Sequence, residues 1–132
     1  MSTALSALST SATVLSTAID QTALDLYADF ELVHGTSAAA AADSLVEMYL
    51  VRSVDGSNYE DTSTEGRPRY GFVGGFALDN VTSTQRLMIG QVQLPPIEFK
   101  VMLLNGSSVT LASSSYITPT LKAYCYRQQV TT

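Results

Sequence analysis

The chain has 132 residues, a length that suits one domain able to bury its own hydrophobic core. It is 45% hydrophobic but only 14% charged, its net charge is −5, and it has a single cysteine. The acidic balance argues against nucleic acid as a direct partner, and one cysteine cannot form an intrachain disulfide. No apolar run reaches the roughly 18 residues that a membrane-spanning helix needs, so we expect no membrane contact.

Residues 1–20 are rich in Ser, Thr and Ala and carry no charge before Asp20. We interpret them as an extended, low-complexity N-terminal arm that precedes a β domain over residues 21–132. The arm is either flexible or orders as a strand against a partner. The segment 13–19 has β character, and within it Val14 and Leu15 are candidate interface residues.

Two-residue alternation between residues 24 and 34 predicts the first clear strand. Its two faces differ in chemistry: one is apolar and the other is mostly acidic. The apolar row is Leu26, Ala28, Phe30 and Leu32, and the other row is Asp25, Tyr27, Asp29 and Glu31.

Further strands are predicted over residues 44–52, 70–78, 84–92, 97–104, 109–112 and 121–130. The first of these is apolar on one face and half apolar on the other, so we expect it to be covered on both sides. A polar loop over residues 53–69 has a turn signal at Asp55-Gly56, and Gly74-Gly75 indicates a bulge or a close backbone approach. Asn105-Gly106 predicts a type I′ hairpin between the strands on either side of it.

Seven or eight short strands without a convincing helix predict an all-β fold. We expect an antiparallel β-sandwich or jelly roll.

Residues that could support catalysis or metal binding are sparse. The chain has one histidine, His34, and it has no second histidine or Cys/His cluster with which to hold a metal. Asp25, Asp29 and Glu31 share a strand face, which usually indicates a solvated or partner-facing row. Oxygen-rich residues in the loop 53–69 do not follow the EF-hand spacing. We therefore expect no catalytic residue, no metal site and no cofactor.

Side chains suited to protein interfaces are more frequent. The chain has seven tyrosines and no tryptophan, and tyrosine is enriched where proteins meet. We select Tyr59 as a candidate interface residue, together with Arg67 and Arg69, whose guanidinium groups suit bidentate pairing with carboxylates. Cys125 lies in an apolar run and is interpreted as a small core or interface residue.

Five segments together resemble small virion proteins of tailed bacteriophages. The resemblance covers about residues 24–128, and its more specific parts are Asp55–Tyr59 (DGSNY) and Leu94–Val101 (LPPIEFKV); the others are Asp29–Leu32, Val46–Val51 and Gln85–Leu87. The chain departs from these proteins in its long Ser/Thr/Ala segment at the N-terminus.

This resemblance implies a capsid decoration, or cement, protein with a β-sandwich or jelly-roll fold and no catalytic residues. Its partner would be the major capsid protein, and it would itself form a dimer or trimer. It would be made in the bacterial cytoplasm and would act on the capsid exterior. One alternative is a tail or fibre-base component, or a glycan-binding head decoration, of the same fold. A second is a small glycan-active enzyme that uses Asp25, Asp29 or Glu31.

Overall fold

The computed structural model describes residues 2–4, 8–21, 25–35, 39–60, 68, 71–111 and 120–126. Within these ranges the chain forms no helix, and the predicted all-β class is confirmed. In chain order the strands are β1 (Ser2–Ala4), β2 (Thr13–Leu15), β3 (Tyr27–His34), β4 (Leu45–Arg52), β5 (Phe72–Ala77), β6 (Gln85–Gln93), β7 (Phe99–Asn105) and β8 (Thr120–Tyr126).

The strands form two four-stranded antiparallel sheets. Sheet I has the order β1-β8-β3-β6, and sheet II has the order β2-β7-β4-β5. The first strand pairs with the eighth, the second with the seventh, the third with the sixth and the fourth with the fifth. This nested pairing is the arrangement of an eight-stranded jelly roll, which is a form of β-sandwich.

The main core lies between the two sheets. Alternation places every second residue of β3 and β4 inward, so both strands contribute fully buried side chains. Burying each large apolar side chain of this kind stabilises the fold by roughly 1.5–3 kcal/mol. The central members of this core are Phe30, Leu32, Val46, Met48, Leu50, Phe76, Val101, Leu103 and Leu121.

A second apolar cluster covers the outer face of sheet II. It consists of Tyr49 and Val51 from β4 and Met102 and Leu104 from β7, and Tyr59 packs against it. The prediction that residues 44–52 are covered on both faces is therefore confirmed.

The close approach predicted at Gly74-Gly75 is also observed. A Cβ atom on Gly75 would lie 2.5 Å from Cδ1 of Leu45, a residue of β4 whose ladder partner is Ala77, two positions further along β5. The ladder between these strands shifts register between Met48 and Tyr49. At the other predicted turn, Gly56 has a φ of 75°, a conformation that glycine adopts without steric cost.

The prediction of a hairpin at Asn105-Gly106 is wrong. A type I′ turn needs positive φ at both central residues, and neither Asn105 nor Gly106 has one. The topology explains this result: β4 and β2 already pair with the two edges of β7, so no edge is left for a returning strand. The chain instead forms an isolated bridge between Leu111 and Leu8.

The N-terminal residues take part in both sheets where they are described. Apart from β1 and β2, single bridges join Leu8 to Leu111 and Ile19 to Phe99. The β character predicted for residues 13–19 is confirmed at β2. The division into an arm over residues 1–20 and a domain over residues 21–132 stays a prediction.

Candidate binding face

The outer surface of sheet I carries a continuous group of aromatic and charged side chains, which we call the tyrosine face. The register places Tyr27 opposite Tyr126, Asp29 opposite Tyr124 and Glu31 opposite Lys122. On the other side of β3, Glu31 lies opposite Met88. The tyrosine face is defined by Tyr27, Asp29, Glu31, Arg86, Met88, Lys122, Tyr124 and Tyr126.

Large side chains of this face are well exposed. The exposed fraction is 60% for Met88, 50% for Tyr124 and 40% for Tyr126. The rings of Tyr27 and Tyr126 stack with their centroids 6.0 Å apart and an interplanar angle of 23°. Because each ring supports the other, the pair presents a fixed aromatic surface with little rotamer freedom left to lose on binding.

The charge of Glu31 is neutralised within the face. Nη1 of Arg86 donates to Oε2 of Glu31 at 2.7 Å, and the hydroxyl of Tyr124 donates to Oε1 at 3.5 Å. The hydrogen bond to Glu31 raises the pKa of Arg86. Glu31 itself is buried by its neighbours. A partner covering this part of the face would therefore find the carboxylate already paired.

Asp29 organises the other half of the face. Its Oδ1 accepts a hydrogen bond from the backbone N–H of Gln91 at 2.8 Å and one from the Tyr126 hydroxyl at 3.4 Å. Partial burial and the nearby Asp29 carboxylate raise the pKa of Tyr126. Gln91, Tyr27 and Tyr126 line a shallow recess beside this carboxylate.

The interface residues chosen from the sequence lie outside the tyrosine face where the structure describes them. Val14 is half-buried and packs against the core, whereas Leu15 is exposed on β2. Arg67 and Arg69 lie outside the described residues. A role for these four residues in an interface stays a prediction.

Tyr59 is held by contacts within the chain. Its hydroxyl donates to Oε1 of Glu98, and Nζ of Lys100 lies 4.0 Å from the centre of its ring. The hydrogen bond to Glu98 raises the pKa of Tyr59 to about 12. These contacts fix the loop end over the outer cluster of sheet II, and an additional intermolecular role for Tyr59 stays a prediction.

The loop before Tyr59 is ordered by one carboxylate. Oδ1 of Asp55 accepts from the backbone N–H groups of Asn58 at 2.7 Å and Ser57 at 2.9 Å. Oδ2 of Asp55 accepts from the side-chain amide of Asn58 at 2.7 Å. These hydrogen bonds, first of all those from Asn58, lower the pKa of Asp55. Both carboxylate oxygens of Asp55 thus accept hydrogen bonds from residues of its own turn.

His34 ends the inward-facing row of β3 and is 1% exposed. Neither ring nitrogen has a hydrogen-bond partner among the described residues. Burial lowers the pKa of His34. No group of three or more potential metal ligands occurs in the part of the chain that the structure describes. Cys125 is exposed on β8, so it is not a core residue, and the alternative role at an interface stays a prediction.

The outward row of β3 is visible in the sequence, whereas the tyrosine face as a unit is not. Two-residue alternation puts Lys122, Tyr124 and Tyr126 on one side of the last strand. The sequence does not show which strand lies beside it, because the pairing of β8 with β3 joins residues about ninety positions apart in the chain.

Comparison with protein families, with curated proteins and with solved structures finds no match for this chain. Across the described ranges, no helix has the length and apolar character to cross a membrane.

Proposed function

We propose that this protein is a virion structural protein of a tailed bacteriophage, and that it binds the major capsid protein as a decoration protein on the capsid exterior. The virion assignment rests on the resemblance of segments such as Asp55–Tyr59 and Leu94–Val101. The mode of action rests on the tyrosine face. The protein then works by adhesion, through surface that it buries against its partner.

The observation that carries the proposal is the exposure of Tyr124, Tyr126 and Met88 on one side of the sandwich. Tyrosine, methionine and arginine are the residue types enriched in protein interfaces, and this face combines all three. Its buried carboxylate, Glu31, is already paired with Arg86. Covering the face would therefore not leave that charge buried and unpaired, which is the costly outcome in an interface.

The jelly-roll architecture is compatible with this role. Jelly rolls occur in viral capsid proteins and in lectins, among others, so the fold alone does not select a function. A rigid sandwich does suit a protein that bridges neighbouring subunits, because it transmits load without rearranging. We further propose that the protein is a dimer or trimer, since several linked copies raise the effective concentration at adjacent sites.

A binding experiment with purified capsids tests the proposal. We expect the chain to co-sediment with capsids and to raise their resistance to heat and osmotic shock. Serine substitutions at Tyr124 and Met88 should weaken binding by about tenfold or more, as expected for interface hot spots. The matched control is Val54→Ser, since Val54 is 92% exposed but lies in a loop away from the face.

Absence of the chain from capsids, or equal binding by the face and loop variants, would contradict the proposal. Electron microscopy of tagged particles distinguishes the related positions. Density over the shell supports a decoration protein, whereas density at the tail would assign it there. Size-exclusion chromatography with light scattering measures the oligomeric state.

A further inference from the structure

Four tyrosines among the described residues share one arrangement, in which the phenol hydroxyl donates to a carboxylate. The pairs are Tyr49 with Glu47, Tyr59 with Glu98, Tyr124 with Glu31 and Tyr126 with Asp29. A hydrogen bond to a negatively charged acceptor shifts electron density towards the phenol ring. The ring face then attracts cations more strongly than that of an unpaired tyrosine.

Two of these pairs, those of Tyr59 and Tyr124, already hold a basic side chain from the same chain. Nζ of Lys100 lies 4.0 Å from the centre of the Tyr59 ring. Arg86 forms an ion pair with Glu31, the carboxylate that accepts from Tyr124. Each of these units therefore combines a tyrosine, a carboxylate and a basic side chain.

The pair of Tyr126 with Asp29 has no such cation among the described residues. Asp29 accepts hydrogen bonds from a backbone amide and a tyrosine hydroxyl, and the described ion pairs do not include it. Its tyrosine, Tyr126, is 40% exposed and stacks with Tyr27 beside the recess lined by Gln91. The net charge of −5 also favours the approach of a basic partner.

We propose that the ring surface of Tyr126 and Tyr27, with Asp29 as counter-ion, binds a lysine or arginine side chain of the partner protein. This inference rests on the proposed function, because it takes the partner to be a protein. The incoming cation completes at Asp29 the same three-part unit that Lys100 and Arg86 complete elsewhere. The binding is reversible and involves no covalent step.

An NMR titration of the whole chain with N-acetylarginine amide tests this inference. The matched probe is N-acetylcitrulline amide, which has nearly the same shape but no charge. We expect the arginine probe to shift the signals of Tyr27, Tyr126 and Asp29, with an effect that weakens as salt is added. The citrulline probe should leave them unchanged.

Substitutions separate this site from the rest of the surface. Tyr126→Leu should weaken binding of the arginine probe by about two- to fivefold, the usual size of an exposed cation–π contact. Val54→Ser is the control and should bind like wild type, because Val54 is an exposed loop residue outside the tyrosine face. Asp29→Asn removes the charge but keeps an oxygen that can accept from Gln91, so it should lose the salt dependence while staying folded.

Equal shifts with the arginine and citrulline probes, or unchanged binding by Tyr126→Leu, would overturn the inference. Stronger binding of a methyl glycoside in the same recess would assign it to a saccharide and would also overturn it. If Tyr126→Leu does not fold, Tyr126→Phe gives the test, since it removes only the hydroxyl that donates to Asp29. Capsid co-sedimentation is scored separately, so capsid binding without probe binding rejects this inference alone.

Discussion

Asp29 and Gln91 are joined across a β-bulge. Ala28 pairs with Val92 and Phe30 pairs with Ile89, so Asp29 faces two residues of β6 where a regular ladder has one. Gln91 takes up the extra residue with a φ of 56°, a conformation that side chains other than glycine rarely adopt. The Asp29 carboxylate accepts the Gln91 N–H at 2.8 Å and thereby satisfies a donor that the ladder leaves unpaired.

The strain at Gln91 predicts the response to two substitutions. Gln91→Gly should raise the free energy of unfolding by about 0.5–1 kcal/mol, because glycine tolerates positive φ and this gain exceeds its larger entropy loss. Gln91→Val should lower it, since a β-branched residue is disfavoured there. Urea unfolding measures both. Equal stability of the two variants would show that the backbone at this position is not strained.

Burial of His34 predicts a pH-dependent stability. The folded-state pKa lies below the usual 6.5, so the unfolded chain binds the proton more readily. The free energy of unfolding should therefore be constant above about pH 6.5 and fall below it, by up to about 1.4 kcal/mol per pH unit until the folded-state pKa is reached. Urea unfolding at about pH 7.5 and about pH 5.5 should show a smaller difference for His34→Leu than for wild type. An unchanged difference in that variant would exclude His34 as the cause.

The contact between Tyr59 and Glu98 predicts an anomalous alkaline titration. Ultraviolet absorbance should show one tyrosine that ionises near pH 12, above the usual 10. Because the folded state retains this proton more strongly, the contribution of Tyr59 to stability is full below about pH 10 and is lost as the pH rises towards 12. Glu98→Gln should return the titration towards 10. Tyr59→Phe identifies the group, and a late titration that persists in this variant would assign it to another tyrosine.

Among the substitutions proposed, we expect the largest loss of stability from replacing Asn105. Its buried side chain donates to the carbonyl oxygens of Leu8 and Val109, both at 2.9 Å, and accepts from the backbone and hydroxyl of Ser107. Asn105→Ala should lower the free energy of unfolding by about 2–4 kcal/mol, since several buried polar groups lose their partners. The exposed Asn80→Ala should change it by less than about 0.5 kcal/mol. A small effect at Asn105 would mean that water replaces the lost hydrogen bonds.

The contrast between β3 and the segment after β7 shows which parts of this fold follow from local sequence. Residues 24–34 predicted a strand because alternating burial is a local property, and β3 begins three residues after the predicted start and ends at the predicted residue, His34. Asn105-Gly106 also carries a local signal, favouring a hairpin. That signal fails because neighbours from distant parts of the chain occupy both edges of β7.

The tyrosine face could not be predicted from the sequence either, because it also depends on contacts between distant parts of the chain. Its hydrogen bonds join Glu31 to Arg86 and Asp29 to Tyr126, pairs separated by 55 and 97 positions. The residue types could be read from the sequence, but their grouping depends on which strands lie side by side. Tyr59 could be selected as an interface candidate from its residue type alone. Its contacts with Glu98 and Lys100 could not be predicted, because they form only where the loop after β4 packs against the start of β7.

The nested strand order also determines how this chain can fold during synthesis. Sheet I lacks one of its two inner strands until β8 is made, and sheet II lacks one of its inner strands until β7 is made. Neither sheet can close while the ribosome still holds these two segments. The emerging chain therefore exposes open edges of β3 and β4 until β7 and β8 have left the ribosome, so folding should be slow and susceptible to aggregation when translation stalls before β7.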